Sequence, residues 1–347
     1  MAVRYVRANF DRPPTWTLSG AWASADRLML ADPVGNTVLE YQMPSGRMVG
    51  TLPKSLAADF GLAKPSQIRA TPKGDLMLKW TNDRLVTFSN TFRVKERPVE
   101  VVAALDEKAA ASSHPRIESL WGWTLAGNDV LGYGDISSDG RQHWESGVFR
   151  FPASNPRAFD IQSHSGQDSS RIFYRLDMPF LTGQEDGTGY VLLMKDLLGI
   201  YRSEKGKTDL DFVTALPKGL EVSPGLPDFR RKEDLPSVMR AIEQSTMPAG
   251  LWAWERHLYL LSRAPAGTKT RWTLFKVEFD PHTGAAQFIG VELPTHAHHL
   301  TVVPGSRWWA LVEKGPVLAF GAQAIDSVVL IPSEALRGSL HVKFVTE

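Results

Sequence analysis

The sequence predicts an all-β fold, a six-bladed β-propeller of four-stranded antiparallel blades that forms one domain over residues 1–347. Two observations predict it. A short apolar run, usually preceded by a turn containing Asp, Gly or Asn, recurs six times at intervals of 48 to 67 residues, and further alternating stretches follow each run. Four-stranded units repeated around a ring leave only short edges exposed, which is typical of propellers. The runs are anchored at Leu28, Leu76, Val130, Val191, Leu258 and Trp308.

Each predicted blade has one strand before the anchor run and two strands after it. In the first blade the later strands are "NTVLEYQM" and "MVGTL", joined by the polar turn "PSGR". The strand before the anchor is "TWTLSG" in the first blade and "HLTVV" in the last. The blades are predicted at about 15–52, 66–97, 117–162, 171–216, 250–293 and 298–331.

Both ends of the chain also contain strand-like stretches, "RYVRANF" and "SLHVKFV", which are predicted to pair and close the ring. An irregular seventh blade made of both ends is the alternative count. A double-sheet sandwich would account for the turns, but it gives no reason for the sixfold recurrence.

Long connections are predicted on one face only, because alternate links of an antiparallel blade emerge on the same side. The links 53–65, 100–116 and 218–250 are long, whereas the turns of the other set are tight. In the last of these links, Asp234 is a suitable N-cap, and apolar residues at helical spacing predict a short amphipathic helix over 233–246, between blades 4 and 5. Elaborated loops on a rigid scaffold commonly carry function.

Charge and composition exclude several classes of function. Lys and Arg number 39 against 38 Asp and Glu, without long basic runs, which argues against nucleic-acid and membrane partners. The absence of cysteine excludes disulfides, thiolate metal sites and cysteine nucleophiles. The first thirty residues lack the apolar segment of a secretory leader, so the chain as written is expected to be cytoplasmic, or exported if a leader has been removed.

Residues 31–49, "ADPVGNTVLEYQMPSGRMV", resemble one blade of the six-bladed propellers of the NHL and TolB-like type. The resemblance covers one blade well and implies the fold rather than a function. Related six-bladed families include calcium-dependent lactonases and strictosidine-synthase-like enzymes, in which strand starts supply acidic and Asn ligands. This chain offers Glu118 but no matching Asn set, which departs from the lactonase pattern.

The starts of the innermost strands are predicted to surround the mouth of a central channel on the elaborated face. The candidate site consists of the polar and aromatic residues there, namely Gln67, Arg69, Arg116, Glu118, Arg171, Tyr174, Trp252, Trp254, His296 and His298. The three arginines would bind a carboxylate or phosphate, or else they pair with surface Asp or Glu. The two tryptophans would stack on a planar ligand, or else they pack between blades.

The stretch "THAHHL" (295–300) places three of the nine histidines together. On a strand, His296 and His298 would point to one side and His299 to the other. Imidazoles exchange protons near neutral pH, so His296 and His298 are candidate catalytic residues, with Glu118 assisting. Two alternatives stay open: the histidines pack at a strand start, or they hold a transition metal.

These features predict a propeller that binds a small anionic or aromatic organic ligand at the channel mouth. If the protein is an enzyme, its chemistry is acid–base and is carried by the two histidines and Glu118. The alternatives are a non-catalytic scaffold for a protein partner, and a lactonase-like hydrolase with a divalent metal as cofactor. No other cofactor is indicated, and the sequence leaves the oligomeric state open.

Overall fold

The fold was established from a computed structural model of the chain. The structure describes residues 2–17, 19–52, 64–95, 98–101, 116–137, 144–165, 179–193, 199–220, 244–280, 282–317, 323–338 and 342–346. These residues form two compact units. The first unit is Met1–Val99 with Lys269–Trp272 and Gly290–Glu347, and the second unit is Glu100–Thr268 with Thr273–Ile289.

Three sheets lie in the first unit except for Glu100, and the first two are antiparallel with their strands in the order of a meander. The first sheet is β2 (Gly20–Ser24), β3 (Arg27–Asp32), β4 (Thr37–Gln42) and β5 (Arg47–Thr51). The next sheet is β6 (Pro65–Ala70), β7 (Leu76–Trp80), β8 (Arg84–Phe88) and β9 (Val99–Glu100). The last sheet is β23 (His299–Val303), β24 (Trp308–Val317) and β25 (Gln323–Pro332), followed by β1 (Ala2–Asn9) and β26 (Lys343–Thr346).

The remaining three sheets follow the same pattern. One is β10 (Arg116–Ile117) and β11 (Gly122–Ala126), which both pair with β12 (Asp129–Ser137), followed by β13 (Trp144–Pro152) and β14 (Asp160–Ser165). The next is β15 (Phe180–Gly183), β16 (Gly189–Leu193), β17 (Gly199–Ser203) and β18 (Asp211–Thr214). The last is β19 (Met247–Trp254), β20 (His257–Ala266), β21 (Lys269–Phe279) and β22 (Ala286–Glu292).

The two ends of the chain share one sheet. Strand β1 pairs antiparallel with β25, with Val6 opposite Leu330, and parallel with β26, with Val3 opposite Phe344. This confirms the predicted pairing of the ends, and it places both of them in the sixth sheet rather than in a seventh. The chain is therefore an all-β protein with the six-bladed propeller fold that the recurrence predicted.

The core forms because strand side chains alternate between the two faces of a sheet. In β3, Leu28 and Leu30 pack in one cluster with Tyr41, whereas Met29 and Ala31 join another. All four residues are fully buried, and burial of a large aliphatic side chain contributes about 1.5–3 kcal/mol. The apolar runs found in the sequence are therefore the two-sided interior strands of the blades.

One detail of the prediction needs correction, and another falls outside the described residues. The strand before the first anchor is Gly20–Ser24, so most of "TWTLSG" lies ahead of it. Asp32 accounts for this, because its carboxylate accepts hydrogen bonds from the Thr15 and Trp16 amides at 2.7 and 3.3 Å and draws that segment away from the ladder. The predicted helix over 233–246 lies almost entirely outside the described residues.

Helical structure is sparse within the described ranges. It consists of α1 (Glu334–Arg337), a single turn after β25. No helix in that part of the chain is long and apolar enough to cross a membrane.

Candidate functional site

A cavity of about 600 Å³ lies in the first unit, beside the loop that leads into β23. Its volume falls in the range of small-molecule sites. Its polar lining includes Arg7, Thr295, His296, His298, Glu313 and Lys314. The two histidines that the sequence singled out therefore do meet at one cavity, and they meet there with charged residues that the sequence analysis did not select.

The histidine loop is not a strand, which corrects the expectation for "THAHHL". Strand β23 begins at His299, so His296 and His298 precede it. The loop is fixed by hydrogen bonds outside the ladder. The Trp272 indole donates to the Ala297 carbonyl at 2.7 Å, and the His296 Nδ1 lies 3.3 Å from the Thr270 carbonyl. His296 is exposed and His298 is half-buried, so both imidazoles can meet a solute.

Glu313 links several parts of the cavity wall through hydrogen bonds and an ion pair. Its buried carboxylate accepts hydrogen bonds from Thr295 Oγ1 and Ser327 Oγ, both at 2.5 Å, and pairs with the Arg7 guanidinium at 2.9 Å. Arg7 also donates to the Pro294 carbonyl at 3.3 Å. These contacts join the histidine loop to strands β1, β24 and β25. The carboxylate is therefore occupied as a structural acceptor, and it neutralises Arg7.

Lys314 follows Glu313 on β24, at a point where the register with β25 shifts, and both residues line the cavity. Lys314 is 5% exposed, and its ammonium donates to the Thr17 carbonyl at 3.2 Å. Burial lowers the pKa of this lysine to about 8. Among the described residues no carboxylate pairs with it. The cavity wall thus contains a cation whose charge the protein does not cancel.

Arg69 and Gln67 lie two residues apart on β6 and do not line this cavity. The Arg69 Nη1 donates to Ser19 Oγ at 2.7 Å and to the Ile68 carbonyl at 3.0 Å. The residue as a whole is half-buried, while burial around its guanidinium lowers the pKa to about 10. Within the described part of the chain this arginine has no acidic partner either.

Arg116 and Glu118 belong to the second unit and form an ion pair with each other. Glu118 follows the short strand β10, and its amide donates to the Asp135 carbonyl at 2.8 Å. The side chains are 21% and 11% exposed. Arg116 is therefore paired with a carboxylate, and its predicted anion-binding role stays a prediction.

Trp252 and Trp254 lie near the end of β19 rather than at its start, because this strand begins at Met247. The Trp252 ring folds back over Gly250, where an added Cβ would lie 2.1 Å from the ring. The Trp254 ring is centred 6.1 Å from that of Tyr259, which is fully buried. Both tryptophans are half-buried and pack against their own sheet.

Two of the predicted site residues, Arg171 and Tyr174, lie outside the described residues. Within the described ranges, no group of three or more His, Asp or Glu side chains is placed to hold a metal ion.

Comparison with known proteins identifies the fold class. No family model matches the chain, and no curated protein matches it. Among solved structures, a gluconolactonase from Xanthomonas campestris aligns with a TM-score of 0.51 at 15% identity, over 92% of this chain and 87% of that chain. A streptogramin B lyase aligns with a TM-score of 0.47 at 10% identity, over 94% and 97%. A PQQ-bound aldose sugar dehydrogenase from Streptomyces coelicolor gives 0.46 at 12%, over 92% and 97%.

These likenesses concern architecture. At such identities the first alignment supports the six-bladed propeller fold and carries no activity across.

Sequence reasoning missed Lys314 and Glu313. They lie in the run "WWALVEKG", and a charged pair inside an otherwise apolar strand was the available signal. The sequence does not single the pair out, because Glu and Lys are usually exposed.

Proposed function

We propose that this protein binds a small organic anion in the cavity beside His296 and His298. The observation that supports the proposal is the charge of that cavity. Arg7 is neutralised by Glu313, whereas the buried ammonium of Lys314 has no carboxylate among the described residues. A buried charge without a partner is unfavourable. An anion that enters the cavity is therefore attracted to the ammonium, because it supplies the countercharge that the protein does not.

The two histidines suit the ligand in either of two roles. As neutral or protonated rings they supply hydrogen bonds that orient an organic acid. As proton-transfer groups they would make the protein an enzyme with acid–base chemistry. Glu118, the third predicted catalytic residue, stays a prediction, as does the aromatic stacking by Trp252 and Trp254. That residues 31–49 are related to the NHL and TolB-like propellers is likewise a proposal.

The test is a thermal-shift screen of the full chain with small mono- and dicarboxylic acids, each compared with its neutral methyl ester. A ligand that binds only the native state raises the melting temperature. We expect stabilisation by at least one acid and not by its ester.

Two variants then locate the binding site. His298→Ala should weaken binding of that acid by about tenfold, as expected when a hydrogen bond to a charged group is lost. His282→Ala removes an exposed imidazole from the turn after β21 and should bind as the wild type does. The proposal fails if no acid stabilises the protein, or if a folded His298→Ala variant keeps full binding and turnover.

A further inference from the structure

Several cations of low solvent exposure among the described residues differ in whether a carboxylate pairs with them. Three of them have a carboxylate partner: Lys79 with Asp83 at 2.7 Å, Arg150 with Asp129 at 2.9 Å, and Lys276 with Glu278 at 3.1 Å. Arg69 and Lys314 have none among the described residues. The protein therefore neutralises those three cations but leaves Arg69 and Lys314, within the described residues, with carbonyl and hydroxyl partners only.

Arg69 and Lys314 contact neighbouring points of one short segment. Lys314 donates to the carbonyl of Thr17, and Arg69 donates to the hydroxyl of Ser19. Thr17 and Ser19 are buried, and the Thr17 hydroxyl donates to the Ser19 carbonyl at 3.1 Å. A further donor, the Thr301 hydroxyl, lies 3.3 Å from the Thr17 carbonyl. The two cations thus contact residues that are only two positions apart in the sequence.

The guanidinium of Arg69 is only partly used. Its Nη1 makes both of its hydrogen bonds, whereas Nε and Nη2 have no partner in the described part of the chain. The residue as a whole is half-buried, so part of its side chain is open to solvent. Nε and Nη2 form the edge of a guanidinium that binds both oxygens of a carboxylate or phosphate. The free edge is therefore the one suited to an oxyanion.

We propose that Arg69 and Lys314 together hold an oxyanion, a carboxylate or phosphate group of a ligand, beside Thr17 and Ser19. Burial that lowers the pKa of both side chains shows that their charges are poorly solvated where they lie. An oxyanion would supply the missing countercharge. Because Lys314 also lines the histidine cavity, this inference rests on the proposed function and names the residues that would hold the anionic group.

The experiment measures binding of inorganic phosphate, and separately of succinate, to the full chain by calorimetry. Both titrations are made at pH 7 and at constant ionic strength set with chloride. We expect binding of at least one of the two, and mutual competition if both bind. Arg69→Gln and Lys314→Met should each weaken binding by about tenfold or more.

Two further variants make the result specific. Arg69→Lys keeps the charge but loses the planar edge, so its affinity should fall between those of wild type and Arg69→Gln. Arg47→Gln removes a charge from an exposed position on β5 and should bind as the wild type does. The inference is overturned if neither anion binds above the chloride background, or if Arg69→Gln and Lys314→Met bind as tightly as wild type.

The two proposals fail separately. If phosphate binding depends on Arg69 and Lys314 while His298→Ala keeps full binding of organic acids, the oxyanion site stands and the histidine cavity is not the ligand site. If His298→Ala loses the organic acid while Arg69→Gln and Lys314→Met bind phosphate like the wild type, the cavity stands and the oxyanion site is wrong.

Discussion

Arg150 in the second unit and Arg69 in the first show two uses of a guanidinium within this fold. Arg150 is 3% exposed and its Nε pairs with Asp129 at 2.9 Å, while its Nη2 donates to the Gly187 carbonyl at 2.7 Å. Weaker donations at 3.4 Å reach the carbonyls of Ala126 and Ser203. Every nitrogen of the group is engaged, and the charge is cancelled. Arg69 uses one nitrogen and has no described acidic partner.

The difference shows how to distinguish a structural arginine from one that is available to bind a ligand. Arg150 joins the turns of the β11–β14 and β15–β18 sheets, and a ligand could add nothing to it. Arg69 and Lys314 have no carboxylate partner among the described residues, so their charges remain available to a ligand. Burial alone does not distinguish the two cases, because Lys314 is nearly as buried as Arg150. The presence or absence of a carboxylate does.

Removal of the Arg150 partner is the change with the largest expected effect. In an Asp129→Ala variant the guanidinium stays buried without its countercharge, so unfolding should become easier by about 3–5 kcal/mol. Urea denaturation followed by far-UV circular dichroism measures this. Asp209→Ala, at an exposed position, is the matched control and should change stability by less than about 0.5 kcal/mol. A decrease in the free energy of unfolding below about 1 kcal/mol for Asp129→Ala would contradict the structural role of the Arg150–Asp129 pair.

The second prediction concerns pH and Lys314. Its folded pKa of about 8 lies below the usual lysine value of about 10.4, so above pH 8 the unfolded chain binds more protons than the folded one. Stability from this group therefore rises with pH, by about 2 kcal/mol between pH 7 and 9.5. Measurement should stop below pH 10, because burial raises the pKa of Tyr41 and its ionisation on unfolding then opposes the trend.

Lys314→Met is the control for this pH dependence. It should be more stable than wild type at pH 7 and should lack the rise, because it buries no charge. Denaturation midpoints at several pH values provide the comparison. If the stability of the wild type depends on pH in the same way as that of Lys314→Met, the pKa of Lys314 is not lowered by burial and a countercharge pairs with the ammonium.

The smallest expected effect is that of Lys205→Ala. Lys205 also approaches Asp129, at 3.5 Å, but its side chain is 72% exposed. Water and salt screen such a pair, so the loss should be below about 0.5 kcal/mol. Urea denaturation beside Asp129→Ala checks it. A loss of stability above about 1 kcal/mol would show that the ion pairs of Asp129 with Arg150 and with Lys205 both stabilise the fold.

The fold was predictable because its determinants are local. The six anchor runs lie in β3, β7, β12, β16, β20 and β24. Their alternation and the turns that precede them act over a few residues. Gly74 and Gly127, for example, have φ angles of +78° and +59° in turns that introduce anchor strands. Repetition of such local signals six times specified the architecture.

The site was only partly predictable because its determinants are distant in sequence. The loop with His296 and His298 is held by the Trp272 indole, a contact that no strand pattern indicates. Lys314 is distinctive only because it meets Thr17, at the other end of the chain. Arg69 was selected for its place at a strand start, whereas its free edge depends on Ser19. Sequence alone indicates residue types, and these contacts decide which charges are cancelled.

The pairing of β1 with β25 has a consequence for how this protein is made. Strand β1 finds its partner β25, with Val6 beside Leu330, only after the five sheets that lie between them in the sequence have been synthesised. Until then Val3 and Ala8, both buried at the end, face water in the nascent chain. The sixth sheet is therefore completed late, through a contact of very long sequence separation, which slows folding and leaves a strand edge unpaired in the meantime.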